Sequence, residues 1–412
     1  MVKRKDTGDR ALSKKLKPDV DLKAGKETVK EQPTKSTEHS ALAPILRVIT
    51  GSYEHQLLCV SLTTNSRAFA YKKPSSDESV ATNFFTPIFH FASHTASIRC
   101  IASVKRYLVT GGNDEHIRLY DLQKRKEIGT LMHHEGSVTC LEFVKSGKWL
   151  ISGGEDGKVL IWRTQDWEVL ADMKGHKGAV NDISVHPSGK IALSVGRDRT
   201  LRLWNLMTGK NASVLKLGHD EPIQVCWNSK GDRYAVGWQK KISLFDMESK
   251  VLSTVDLTSP LYRIRFIELG DAENEEAVDY LVSSDSTGSI TFRDVEAVTE
   301  DTMPVSFKLE AHTSRVKDFT FFARAPPALL KNRSDELSDK QTTFMSSVSS
   351  DGKIVIWNVN AREPIAVYET SERLNCCTLV AEEVEKYETV LQKINKADET
   401  EDEDSEDEKD EE

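Results

Sequence analysis

The feature that most restricts the fold of this 412-residue chain is a repeat of about 42 residues. Tyr120, Trp162 and Trp204 stand 42 apart, and Phe245 follows after 41. Phe292 and Trp357 come later, displaced by insertions. Each aromatic ends a short apolar run that follows a turn rich in Gly, Asp and Ser. Seven such runs can be read: GSYEHQLLCV, GGNDEHIRLY, GGEDGKVLIW, VGRDRTLRLW, GWQKKISLF, SSDSTGSITF and SSDGKIVIW. Apolar runs of four to seven residues bounded by turn residues are the pattern of β-strands, and no sustained helical period interrupts them between residues 44 and 380.

A period of this length, with Gly-His pairs near the start of each unit, reads as WD repeats stacked into blades. The Gly-His equivalents are His94, His134, Gly175-His176, Gly218-His219 and His312. The predicted fold is therefore all-β, a seven-bladed WD-repeat β-propeller over residues 44–380. The first motif, at Gly51, has no innermost strand of its own. The run RLNCCTLV at 373–380 is an innermost strand without a blade. We expect it to close blade one by pairing near residues 45–50, which would remove the free sheet edges.

The segment HKGAVNDISVHPSGKIALSVGRDRTLRLWNL contains the parts of a hydrolase triad in His176, Ser194 and Asp198. The repeat gives them another meaning. His134, Ser152, Asp156 and Trp162 hold the same offsets as His176, Ser194, Asp198 and Trp204. In both units Ser stands ten and Asp six residues before the Trp. Thr110 and Asp114 keep those offsets to Tyr120, with His94 upstream, and Ser347 and Asp351 keep them to Trp357, with His312 upstream. A set that recurs four times is expected to be a structural tetrad: carboxylate to imidazole, imidazole to hydroxyl, hydroxyl to indole. Blade five lacks the turn Asp, having Gln239-Lys240 there, and blade six has Asp285 but no upstream His. Both are expected to be less rigid. No GxxxxGK[ST] loop, HExxH motif or CxxC pair is present, so no enzyme, cofactor, metal site or small-molecule substrate is expected.

The ends differ from the body. Residues 1–42 are lysine-rich and poor in aromatics, and are expected to be a disordered basic arm. Within it, Lys3, Arg4, Lys5 and Lys14, Lys15, Lys17 have the spacing of a two-part nuclear import signal, although a plain solubilising arm would read the same way. Residues 381–397 carry Val384, Tyr387, Leu391 and Ile394 at helical spacing, which predicts a short amphipathic helix that packs back on the body or docks on a partner. Residues 398–412 form an acidic tail of net charge −11, expected to be disordered. No apolar run has the length of a membrane span, and no membrane partner is expected. Five of the six cysteines lie in apolar runs and read as small core residues.

On a propeller, the loops joining first to second and third to fourth strands share one face. Here they hold Lys105, Arg106, Lys124, Arg125, Lys126, Lys145, Lys148, Lys190, Lys210, Lys230 and Lys250, against the acids Glu127, Asp166, Asp232 and Glu248. This candidate basic arc could neutralise phosphates of RNA or meet an acidic protein. The long polar insertion at 324–341 is a surface loop or a partner contact.

The runs HHEGSVTCLEF, EDGKVLIW, HPSGKIALSVGRDRTLRLWNL and RVKDFTFF give the chain a more specific likeness. Over about Val48–Cys377 it resembles the PAK-interacting WD-repeat proteins and their maintenance-of-killer relatives. That resemblance implies a non-enzymatic scaffold in nucleus and nucleolus, acting in assembly and rRNA maturation of the large ribosomal subunit. Its implied partners are pre-ribosomal particle proteins and rRNA. The alternative it implies is negative regulation of a p21-activated protein kinase by direct binding. Substrate receptors of ubiquitin ligases carry Trp-Asp-x-Arg after the third strand, and Trp162-Arg163, Trp204-Asn205 and Trp357-Asn358 do not match it.

Overall fold

The computed structural model describes residues 43–69, 83–270, 277–299, 302–326 and 341–384. The arm 1–42 with its candidate import signal, the acidic tail, residues 385–397 of the expected helix and most of the 324–341 insertion lie outside the described residues. Every described strand belongs to one of seven four-stranded antiparallel sheets. The chain is a seven-bladed β-propeller. Blades two to seven each use four consecutive strands, as in blade four: Val180–Val185, Ile191–Gly196, Thr200–Asn205 and Lys210–Lys216.

Blade one is built from both ends of the fold. Its innermost strand is Leu374–Ala381, followed outward by Ala43–Ser52, Gln56–Thr64 and Phe84–Ala92. The seam is antiparallel, with Val48 opposite Leu379 and Thr50 opposite Cys377. Side chains lock it. Arg47 Nε and Nη2 donate to the two carboxylate oxygens of Glu382 at 3.0 and 2.7 Å, and Ser61 Oγ donates to the same carboxylate at 2.9 Å. Only Ala381–Val384 of the expected 381–397 helix is described, and it is not helical in that sense: Ala381 ends the strand and Glu382–Val384 make one 3-10 turn. The Arg47 contact and the packing of Val384 against the cluster of Ile49, Leu57 and Val380 hold this turn down.

Alternation in the strands sends side chains between blades. Seven apolar clusters fill the ring, such as Val180, Ile183, Ala192 and Trp204 with Met173 and Val159 between blades three and four. The turn before the third strand needs a left-handed residue. Gly157 and Gly352 supply it at φ +76 and +78, and a Cβ on Gly157 would stand 3.0 Å from Gly178 O. Blades two and four put Glu115 and Arg199 there at φ 67 and 61.

The innermost strands share a further device. In blades two, three, four, six and seven a β-bulge follows the first residue, at Ile98/Cys100, Val138/Cys140, Val180/Asp182, Leu261/Arg263 and Val316/Asp318. The residue after each bulge lines an axial cavity of about 510 Å³. Cys100, Cys140, Cys226, Cys376 and Cys377 are free thiols on this lining, and burial raises the pKa of each.

Candidate functional site

The four repeated sets are assembled in space. In blade four, His176 Nδ1 lies 3.0 Å from Asp198 Oδ1 and Nε2 lies 2.7 Å from Ser194 Oγ. Trp204 Nε1 donates to the same hydroxyl at 2.7 Å. Blade three repeats this with His134, Asp156, Ser152 and Trp162 at 3.0, 2.8 and 2.9 Å. Blade seven does so with His312, Asp351, Ser347 and Trp357 at 3.3, 2.8 and 2.9 Å. In blade two His94 meets Asp114 at 2.9 Å and Thr110 at 2.8 Å, but the Tyr120 hydroxyl pairs with Ser93 Oγ at 2.8 Å. A phenol reaches further than an indole N–H, as far as the residue before the histidine.

A carboxylate only accepts, so Nδ1 carries the proton and Nε2 accepts from the hydroxyl. That is the proton order of a hydrolase, and the difference is access. Ser152, Ser194, Ser347 and Thr110 are all 0% exposed, and in the three Trp sets the indole N–H already occupies the hydroxyl oxygen. Such an oxygen has no path to a substrate. The carboxylates also accept backbone N–H groups across the blade, from Thr95, Glu135, Lys177 and Thr313 at 3.0–3.1 Å. Each set therefore ties the turn, the incoming loop and the third strand together. Ser194→Ala removes a hydroxyl on which two buried partners depend, and should lower stability by about 1–3 kcal/mol in chemical denaturation.

Burial lowers the pKa of His94, His176 and His312 against the pull of their aspartates. Burial alone would raise Asp114, Asp156, Asp198 and Asp351, but hydrogen bonds from imidazole and backbone outweigh it and hold all four below the usual value. Both shifts mean that the unfolded chain binds more protons in acid. Stability should therefore fall as the pH drops, from about 6.5 downward for the histidines and from about 4 downward for the carboxylates. Carboxylates raised by burial elsewhere act in the opposite sense, so the check compares thermal melts of wild type and Asp198→Asn between pH 7 and 3: their difference should shrink as the pH falls, and a constant difference would contradict this.

Blades five and six depart from the pattern. His219 is exposed, Val236 stands where Ser194 stands in blade four, and Gln239-Lys240 fill a turn one residue shorter than the one that holds Asp198. In blade six the strand register places Arg293, not Phe292, at the Trp position: Leu281 faces Arg293 as Ala192 faces Trp204. Arg293 Nη1 donates to Ser283 Oγ at 2.7 Å, replacing the indole bond. Asp285 lies two residues before the Asp position and caps its turn through Ser259 and Thr287.

The eleven cations of the basic arc are all exposed, on or beside the first-to-second and third-to-fourth connections of blades two to five, with Lys126 and Lys210 opening the fourth strands of blades two and four. Some of them are engaged. Arg106 donates to the Tyr107 hydroxyl at 2.8 Å with Asp121 at 3.7 Å, and Lys230 lies 3.4 Å from Glu296.

Sequence reasoning missed the charges around the axial cavity. Glu142 accepts the backbone N–H of Val185 at 3.0 Å, Asp182 that of Val225 at 3.1 Å, and Asp318 that of Cys377 at 3.1 Å. Each side chain thus bonds the backbone of the next blade. Arg263 stands 3.6 Å from Asp182 and 3.3 Å from Asp318, spanning blades four, six and seven. The signal was a charged residue inside an otherwise apolar strand, which burial tolerates only with partners. Burial, then the neighbouring Asp182, pushes Glu142 up to about 8. The folded chain thus holds this proton more tightly than the unfolded one, and stability should decline as the pH rises from about 4.5 to about 8. Glu142→Gln keeps the acceptor oxygen without the charge. It should be more stable than the wild type at pH 8–9 by roughly 1–2 kcal/mol, converging with it below pH 5; equal melting curves at pH 9 would contradict this.

Comparison with known proteins adds the lineage. The WD domain, G-beta repeat family matches residues 85–121, 125–163 and 167–205. Protein MAK11 of Saccharomyces cerevisiae is 38% identical over 381 residues, 84% of this chain and 86% of that protein. The human p21-activated protein kinase-interacting protein 1 is 33% identical over 297 residues, 70% of this chain and 67% of that protein. A rice protein named U3 snoRNP-associated protein-like YAOH is 32% identical over 73 residues, 18% of this chain and 14% of that protein. With seven closed blades and a relative this similar over most of both chains, the protein belongs to the WD-repeat family of MAK11 and the p21-activated protein kinase-interacting proteins.

Proposed function

We propose that this chain is a non-enzymatic scaffold in nucleolar assembly of the large ribosomal subunit, holding pre-ribosomal proteins and rRNA phosphates against the lysine-rich face of blades two to five. The observation that carries the reading is that face: eleven exposed Lys and Arg side chains on one side of four adjacent blades. Such an array releases counterions from a polyanion and gives binding that weakens steeply with salt. The lineage supports it, as does the rice relative whose name refers to a ribonucleoprotein particle. The import signal at Lys3–Lys5 and Lys14–Lys17 belongs to the same reading, because assembly of that particle needs entry to the nucleus.

The test is affinity purification of the tagged chain, with RNA and protein identification. Wild type should bring down large-subunit precursor rRNA. A variant with Lys105, Lys124, Lys126, Lys145, Lys148 and Lys190 changed to Gln should recover about tenfold less or lower still, since each lost phosphate contact weakens binding. Equal recovery by the two would remove the lysine face from the proposal. The second reading, direct restraint of a p21-activated kinase, is favoured by the names of the vertebrate relatives. Recovery of a kinase without precursor rRNA would select it.

A further inference from the structure

The axial cavity has more donors than its acceptors use. Arg263 and Arg265 project from the innermost strand of blade six, and Lys317 from that of blade seven. Arg263 Nε lies 3.3 Å from Asp318 Oδ1 without being aimed at it, and the Nε–H groups of both arginines have no hydrogen-bond partner among the described residues. Lys317 Nζ sits 4.7 Å from the centre of the Tyr262 ring, and among the described residues no carboxylate lies within ion-pair distance of it. Burial, then Arg315 and Arg99, lowers its pKa, as expected of a cation without a counter-charge.

The acids are partly spent. Asp182 and Asp318 each give an oxygen to a backbone N–H of the next blade. Glu142, with its pKa near 8, is mostly protonated at neutral pH. Three cations then face two carboxylates, leaving one positive charge in excess inside a cavity of about 510 Å³. The mouth opens on the face of the Asp-bearing turns. There Arg99 pairs with Glu155 at 2.8 Å and Arg197 with Glu221 at 3.5 Å, all four side chains at least 40% exposed. These rim charges neutralise each other; inside, Arg263 and Arg265 share Asp182 and Asp318, with Arg265 Nη2 3.5 Å from Asp318 Oδ1, which leaves Lys317 as the cation without an ion pair among the described residues.

We propose that the axial channel is a binding site for one oxyanion, a phosphate or carboxylate, held by Arg263, Arg265 and Lys317 and entering from the Asp-turn face. Guanidinium and ammonium donors in a confined site form short charge-assisted bonds to such groups. The anion arrives free or on the side chain of an acidic peptide. This site is separate from the lysine face, and its test does not depend on ribosomal particles.

The experiment is titration calorimetry of the full chain, at fixed ionic strength in chloride, with inorganic phosphate and with tri-glutamate as probes. Wild type should bind at least one probe saturably at one site. Lys317→Met and Arg265→Met should each weaken that binding about tenfold or more, the loss of a charge-assisted bond. A Lys216→Gln, Lys308→Gln control, on the outermost strands of blades four and six and outside both sites, should bind as wild type does. Lys317 makes no ion pair among the described residues, so its variant should fold, which circular dichroism checks. The same probe should raise the melting temperature of wild type and not of Lys317→Met. Tighter binding of tri-glutamate than of phosphate identifies a peptide source, and the reverse a free anion. No saturable binding of either probe, or equal binding by wild type and Lys317→Met, would overturn the proposal.

Discussion

Glu382→Ala should destabilise the propeller by about 3–5 kcal/mol, the cost of stranding one member of a buried ion pair. Arg47 and Glu382 are each only 4% exposed, and Glu382 gives both carboxylate oxygens to the guanidinium and one also to Ser61. Without the carboxylate, a buried cation is left facing a buried hydroxyl. Position makes the effect larger than a local one. Glu382 is the first residue past the closing strand, and Arg47 lies on the strand it closes against. The loss therefore falls on the seam that joins the two ends of the ring. A urea titration with tryptophan fluorescence reads the change, and limited proteolysis after residue 372 should speed up in parallel. The double variant Arg47→Met, Glu382→Leu should recover most of the loss, because an apolar pair of similar volume satisfies the same site. A change below about 0.5 kcal/mol in the single variant would mean that the pair does not hold the seam.

Trp204→Ala should cost a similar amount, about 3–5 kcal/mol, through a different term. The indole is 1% exposed and packs with Val180, Ile183, Ala192 and Leu206 between blades three and four. Truncation opens a cavity there and also removes the N–H donor to Ser194. Trp204→Phe separates the two contributions. It keeps most of the packing and loses only the hydrogen bond, so it should cost about 1 kcal/mol. Equal losses in the two variants would show that the hydrogen bond, and not the cavity, dominates.

What could be read from the sequence follows from what repeats. The tetrad residues of blades three, four and seven were visible because the same joint is needed in each blade, so His, Ser, Asp and Trp recur at fixed offsets. The seven blades were countable because each third strand follows a turn of limited composition. Blade six was misread by one residue, since Phe292 has the right chemistry but Arg293 has the right register. Only the strand pairing decides between neighbours in an apolar strand. Tyr120 was placed correctly along the chain, yet its hydroxyl brings in Ser93, a partner that the repeat offsets do not mark.

The channel charges were missed for a related reason. Glu142, Asp182, Arg263 and Asp318 sit on innermost strands, but the bulge that turns most of them inward has no fixed residue type. Their partners are in other blades, 43 or more residues away, and no local spacing announces them. The lysine face was legible as composition, because loop positions on a propeller are assigned to a face once the strands are counted.

Hydrogen exchange at the seam tests the central claim most directly, that the first and last described strands close one ring held by repeated structural joints. Backbone amides of Val48, Thr50 and Thr378 should be protected to the same degree as those of Leu193 and Ser194 in the interior of blade four. Exchange at the seam as fast as at a frayed edge, with blade four still protected, would contradict closure and the account built on it.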